Sequence, residues 1–185
     1  MWYKLAKQKC PEIHTSAIIG LKLDYDVAEE LYNCAKNLKN PETIDNYHIT
    51  LIYLGKCKDL ENKKDKICEV LENFAKKNTY IKGKIKNTNT FEPSESSDNK
   101  IPLYACYESD NIVEYRNKLL KELEKISVKN VSDFKDYTPH ITLKYLDNEK
   151  EKNKVKNPNI SCDFYKISLY FGNETHEYLL NNKKV

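Results

Sequence analysis

Apolar residues recur along this chain with two periods, and the switching between them marks out the elements. His14 to Leu23 alternates and is rich in β-branched residues, which predicts a strand. Asp24 or Asp26 then caps a helix opened by Val27-Ala28-Glu29-Glu30-Leu31 and running to about Leu38, where Asn40-Pro41 stops it. Tyr47 to Leu54 reads as a strand ending at Gly55. Leu60, Ile67, Val70, Leu71 and Phe74 form the apolar stripe of a helix from about Asp59 to Lys77. Tyr80 to Lys86 is a polar-alternating strand expected at a sheet edge. Asn87 to Lys100 holds turn formers and almost nothing apolar except Phe91, the pattern of a long mobile loop. Ile101 to Glu108 predicts a strand, and Asp110 caps a helix with Ile112, Val113, Leu119, Leu120, Leu123 and Ile126 on its inner face. Thr138 to Leu146 is a strand and Asp147 to Pro158 a charged linker. Phe164 to Phe171 and Glu177 to Leu180 predict a closing hairpin that turns at Gly172-Asn173.

This order predicts an α+β fold with a mostly antiparallel sheet, not an alternating parallel series. No Gly-rich phosphate loop occurs, which excludes P-loop and dinucleotide-binding chemistry. At 185 residues the chain is one domain, or two small lobes sharing a core. With 39% apolar residues and a mean hydropathy of -0.77 it has neither membrane nor disordered character. No run of apolar residues reaches spanning length and the first residues contain no apolar core of a signal peptide, so a cytoplasmic protein is expected.

Charge changes the picture less than its abundance suggests. Thirty lysines and one arginine, Arg116, nearly balance 28 acids to leave +3, and they are scattered, which argues against neutralising a long duplex. The lysine bias and the 20 asparagines read as genome composition. The six cysteines, Cys10, Cys34, Cys57, Cys68, Cys106 and Cys162, show no C-x-x-C and no zinc-finger spacing. Reduced, mostly buried thiols are expected.

The informative feature is a repeat. Tyr47-His48-Ile49-Thr50-Leu51-Ile52-Tyr53-Leu54 and Pro139-His140-Ile141-Thr142-Leu143-Lys144-Tyr145-Leu146 share His-Ile-Thr-Leu-x-Tyr-Leu. At this chain's own frequencies, two of four histidines each followed by Ile-Thr-Leu is on the order of a one-in-a-million coincidence. In a strand, residues i and i+2 share a face. His48 and Thr50 therefore point one way, as do His140 and Thr142, while Ile49, Leu51, Ile141 and Leu143 supply core. Each motif follows a strand and a helix, so an internal duplication about an approximate twofold would gather two imidazoles and two hydroxyls at one groove.

Such a cluster suits phosphodiester chemistry without a metal. Imidazole titrates near pH 6.5, so one histidine acts as base while its protonated partner acts as acid. The threonine hydroxyls can donate to non-bridging phosphate oxygens as charge builds there. A lone His-x-Thr would more simply be a structural strand segment, and the repetition weighs against that. A metal site would need three or four ligands, and the positions around both motifs offer Thr, Ile, Lys and Asn instead.

The paired motifs, 92 residues apart, resemble those of the 2H phosphoesterase superfamily. That superfamily includes the 2'-5' RNA ligase-like proteins and cyclic nucleotide phosphodiesterases. His14-Thr15-Ser16-Ala17-Ile18-Ile19-Gly20-Leu21 and Ile167-Ser168-Leu169-Tyr170-Phe171-Gly172-Asn173-Glu174 look more like its phage-associated branch. The resemblance covers roughly residues 14 to 180. It implies a bilobal, pseudo-twofold α+β fold with the motifs in a central cleft, mostly antiparallel sheets around it and helices outside. It also implies metal-independent cleavage of phosphodiesters that involve a ribose 2' or 3' oxygen, with no cofactor. Carried over residue by residue, His48 and His140 would be the acid/base pair and Thr50 and Thr142 the phosphate binders. The implied substrate is a small cyclic nucleotide, cyclic oligonucleotide or short oligonucleotide, including antiviral nucleotide signals in phage relatives. An RNA-end-processing or 2'-5' RNA ligase-like enzyme, and a non-catalytic nucleotide-binding module, are the alternatives.

Other residues carry weaker expectations. Lys144, four after His140, could hold a phosphate or base, or be a solvated strand-end lysine. Phe91 could stack a base or pin its loop to the core. His14 and His176 lack the threonine and read as structural or surface residues. Glu174 and Glu177 could contact a ribose or base, against a solvated role. A monomer is expected, with no membrane and no long duplex among its partners.

Overall fold

The computed structural model describes residues 15–131 and 136–181; His14, Cys10 and the beginning of the first expected strand lie outside them. One eight-stranded sheet dominates, with all named pairs antiparallel and the order β6-β3-β4-β5-β2-β1-β7-β8. Its strands are β1 Ser16–Lys22, β2 His48–Lys56, β3 Lys84–Thr90, β4 Ile101–Glu108, β5 His140–Leu146, β6 Asn159–Ser161, β7 Lys166–Phe171 and β8 Glu174–Leu179. The helices are α1 Tyr25–Ala35, α2 Lys64–Lys77 and α3 Ile112–Glu124.

The order is its own mirror. The motif strands β2 and β5 lie side by side at the centre, β1 and β4 flank them, then β7 and β3, then β8 and β6. The units β1-α1-β2 and β4-α3-β5 repeat the same succession. Both halves thus belong to one continuous sheet. Ile49 pairs with Ile141, and each is the residue after its motif histidine, so the pseudo-twofold passes through this pair. Beyond it, Tyr53 takes its backbone partners from Asn130 and Val131 instead of β5. Because β5 begins at His140, the two central strands overlap only at the motifs.

Binary patterning decides which face is covered. Ala17, Ile19 and Leu21 of β1, Ile49, Leu51 and Ile52 of β2, and Ile141 and Leu143 of β5 are buried with Leu31, Leu71, Leu119 and Leu123 of the helices. The helices cross over: α1 reaches β6 in the other half, and α3 reaches β2. All three helices carry a buried apolar stripe, as their periodicity predicts.

Several expected boundaries move. The helix expected from Asp59 is regular only from Lys64, preceded by one α-turn at Cys57–Leu60 and a 3-10 turn at Glu61–Lys63. Tyr80 to Gly83 contributes only a bridge between Ile81 and Phe164, and β3 continues through the polar stretch to Thr90. Asn87, at φ 56°, provides the bulge that lets it do so. Nor is β3 an edge, because β6 pairs with it just beyond the charged linker. The segment expected to be a mobile loop is held together at its tip: Ser97 Oγ donates to the carbonyls of Ser94 and Lys100, at 3.0 and 2.7 Å. The hairpin turn at Gly172-Asn173 is as expected, with Gly172 at φ 61°. The cysteines among the described residues are free, but of these only Cys162 is buried; Cys34, Cys57, Cys68 and Cys106 are half-buried.

Candidate active site

The uncovered face of the sheet carries both motifs. A register through Ile49 and Ile141 sets His48 across from Thr142 and His140 across from Thr50, all four on the face opposite the isoleucines. All four are half-buried. Each imidazole is held alike: His48 Nδ1 lies 2.6 Å from the carbonyl of Asn46, and His140 Nδ1 lies 2.7 Å from the carbonyl of Thr138. A carbonyl only accepts, so Nδ1 carries the proton in both rings. Nε2 is left as the nitrogen that can take or give a proton. Burial pushes both imidazoles below their ordinary pKa, opposed in each case by the carbonyl bond. Glu42 raises His48 slightly, whereas the charge of His48 lowers His140 further.

Both motif strands are bulged at the same place. Gly20 pairs with Thr50 and Ile19 with Ile52, so Leu51 is the extra residue; Tyr104 pairs with Thr142 and Leu103 with Lys144, so Leu143 is its counterpart. The carbonyl of Leu51 accepts from Arg116 Nε at 2.8 Å, and that of Leu143 accepts from the Glu42 N–H at 2.8 Å. The extra residue reverses the alternation after it. Lys144 therefore lies beside buried Leu103 on the core side, not on the face of His140 as simple counting predicts. Its Nζ is 2.6 Å from Glu151, which holds that carboxyl below its usual range. The same reversal brings Tyr53 and Tyr145 onto the face of the histidines, where counting does not put them. Tyr145 is 40% exposed and its side chain meets that of Thr142.

Aromatic rings wall each half. Phe91 stacks on Tyr104 with centroids 4.1 Å apart, and both rings approach His140, at 4.8 and 5.2 Å. Its N–H donates to Pro102, extending the β3–β4 ladder by one residue. The structure thus brings Phe91 to the site. In the other half Tyr170 lies 5.7 Å from His48. Tyr170 pairs along β7 as Phe91 does along β3, so the two rings are pseudo-equivalent. Where β4 has Tyr104, β1 has Gly20, so a second ring flanks His140 that has no counterpart beside His48. The weaker candidates stay outside: Glu174 pairs with Lys64, Glu177 with Lys166, and His176 lies 3.4 Å from Glu174. Among the described residues no three of His, Cys, Asp and Glu converge as metal ligands, and no helix is long and apolar enough to cross a membrane.

Comparison with known proteins places the fold and the family. The Anti-CBASS protein Acb1 of Vibrio phage KVP40 is 28% identical over 131 residues, 70% of this chain and 72% of that protein. TT0787 of Thermus thermophilus shares the fold with a TM-score of 0.72 at 15% identity, covering 91% of this chain and 100% of that one. LigT of E. coli, solved with 3'-AMP, matches with a TM-score of 0.63 at 17% identity over 91% of this chain and 96% of its own. The model of the AKAP7 2'5' RNA ligase-like domain matches residues 20–180. By that match over most of its length the chain belongs to the AKAP7 2'5' RNA ligase-like family, and with it to the 2H phosphoesterases.

Proposed function

We propose that this protein is a metal-independent phosphodiesterase that cleaves a phosphodiester at a ribose 2' or 3' oxygen in a small cyclic or short linear oligonucleotide. The observation that carries the reading is the symmetric pair of imidazoles, each with Nδ1 bound to the carbonyl two residues earlier and Nε2 left for proton transfer. Water or a ribose hydroxyl attacks phosphorus as one Nε2 takes its proton. The P–O bond to the departing ribose oxygen breaks as the other Nε2 supplies a proton to it. Thr50 and Thr142 donate to the non-bridging oxygens, on which negative charge accumulates. Phe91 with Tyr104, and Tyr170, offer a ring beside each imidazole on which a flanking base can stack. The likeness to an anti-CBASS protein favours a nucleotide signal of antiviral defence as the substrate, acting in the host cytoplasm. The small net charge of +3 favours a small ligand over long RNA.

The test is a panel of 2',3'-cyclic nucleotides, cyclic di- and trinucleotides, cyclic ADP-ribose species and 2'-5' oligonucleotides, with and without EDTA, read by mass spectrometry. Turnover of at least one cyclic oligonucleotide that EDTA leaves intact, and that His48→Ala and His140→Ala each abolish with binding retained, is expected. Full activity in either variant overturns the mechanism. Preference for 2'-5' oligonucleotides would turn the reading to RNA ends, and stoichiometric recovery of intact ligand would make the protein a binding module.

A further inference from the structure

Arg116 is the one arginine in a chain of 30 lysines. Composition presses toward lysine everywhere else, so what this guanidinium does that an ammonium does not is the question. It is half-buried on α3, and burial lowers its pKa, which is an unfavourable setting for a charge. Its partners are a backbone carbonyl and a ring: Nε donates to the carbonyl of Leu51 at 2.8 Å, and Cζ lies 4.6 Å from the centroid of Tyr137. A planar group with a fixed donor satisfies both at once; a lysine ammonium is a point donor without a stacking face.

The two contacts join the first motif to the segment that leads into the second. Leu51 is the bulge residue directly after Thr50 and has no register partner on β1. Tyr137 leads into Thr138 and Pro139, and the Thr138 carbonyl is the one that fixes Nδ1 of His140. The Pro139 carbonyl in turn accepts from the N–H of Tyr107 on β4. In the pseudo-equivalent bulge the Leu143 carbonyl is held by a backbone N–H of residue 42, a local solution that needs no side chain.

We propose that Arg116 is a positioning residue, which locks the strand after Thr50 and the approach to His140 into one arrangement from the core side. The proposal rests on the phosphodiesterase reading for its kinetic consequence and not for its structural one. Imidazole 1H–15N spectra of the free protein test the latter. The His140 Nδ1–H signal is expected to lose at least about tenfold in exchange protection in both Arg116→Met and Arg116→Lys. The core variant Leu119→Ala, on the same helix, retains that signal. On whichever cyclic nucleotide the wild type turns over, the two Arg116 variants lose about tenfold or more in kcat with KM within about twofold. An unchanged Nδ1–H signal in Arg116→Lys and Arg116→Met, or an equal loss in Leu119→Ala, overturns the proposal. A wild type that turns over no member of the panel refutes the functional reading alone, because the spectra still decide the role of Arg116.

Discussion

Gly20→Ala is the sharpest probe of how closely β1 and β2 must approach beneath the site. Gly20 has no left-handed backbone, so its lack of a side chain matters for space alone. An added Cβ would sit 2.8 Å from the carbonyl oxygen of Ile49, about 0.6 Å inside the distance at which ordinary contact begins, and 3.5 Å from the ring of Tyr170. The obstacle on one side is ladder backbone and on the other a partly buried ring. The strands must therefore separate at Ile49, the residue that registers with Ile141 and lies between His48 and Thr50. Overpacking of this kind costs about 1–3 kcal/mol. The reduced freedom of the unfolded chain returns only about 0.4–1 kcal/mol. A net loss of roughly 1–2 kcal/mol in urea denaturation is expected, with m unchanged. A shift of about half an ångström at Thr50 is expected to lower kcat/KM about tenfold or more. A variant as stable as the wild type with unchanged kcat/KM would refute the reasoning.

Four further outcomes follow from the site. Because burial holds both imidazoles below about 6.5, and one must be protonated while the other is neutral, kcat/KM should peak below pH 6.5 and fall above it; a peak at pH 8 contradicts this. The same lowered values mean that the unfolded chain binds more protons, so this contribution to stability is complete above about pH 6.5 and is lost as pH falls through and below it, measurable by denaturation at pH 5 and 7.5. Lys144→Ile, which copies Ile52 of the first motif, should leave kcat and KM within about twofold yet lower Tm by stranding Glu151, and adding Glu151→Leu should recover Tm; a tenfold rise in KM would put Lys144 in the cleft after all. Phe91→Ala should raise KM for a base-bearing substrate about fivefold or more, with Phe91→Trp retaining affinity; equal KM values in all three proteins would exclude stacking.

The repeated His-Ile-Thr-Leu was legible in the chain because two side chains at i and i+2 share a face whatever the surroundings, and the helices because their apolar stripes recur every three to four residues. That much determined the α+β class, the two histidines and the two threonines. Local pattern did not reveal the bulges, although a trace of them was there: Leu51-Ile52 places two apolar residues in succession where alternation demands one. Tertiary structure decided their consequence, sending Lys144 to the core side against Glu151 and Tyr145 to the face of the histidines. It also decided that Tyr170 answers Phe91, since strands about 80 residues apart in sequence become equivalents only through the order of the sheet. Arg116 meets the first motif and the approach to the second for the same reason. Side-chain period is a property of a few consecutive residues, whereas strand order, bulges and crossed helices are set by which distant surfaces bury one another, and only the folded chain brings those together.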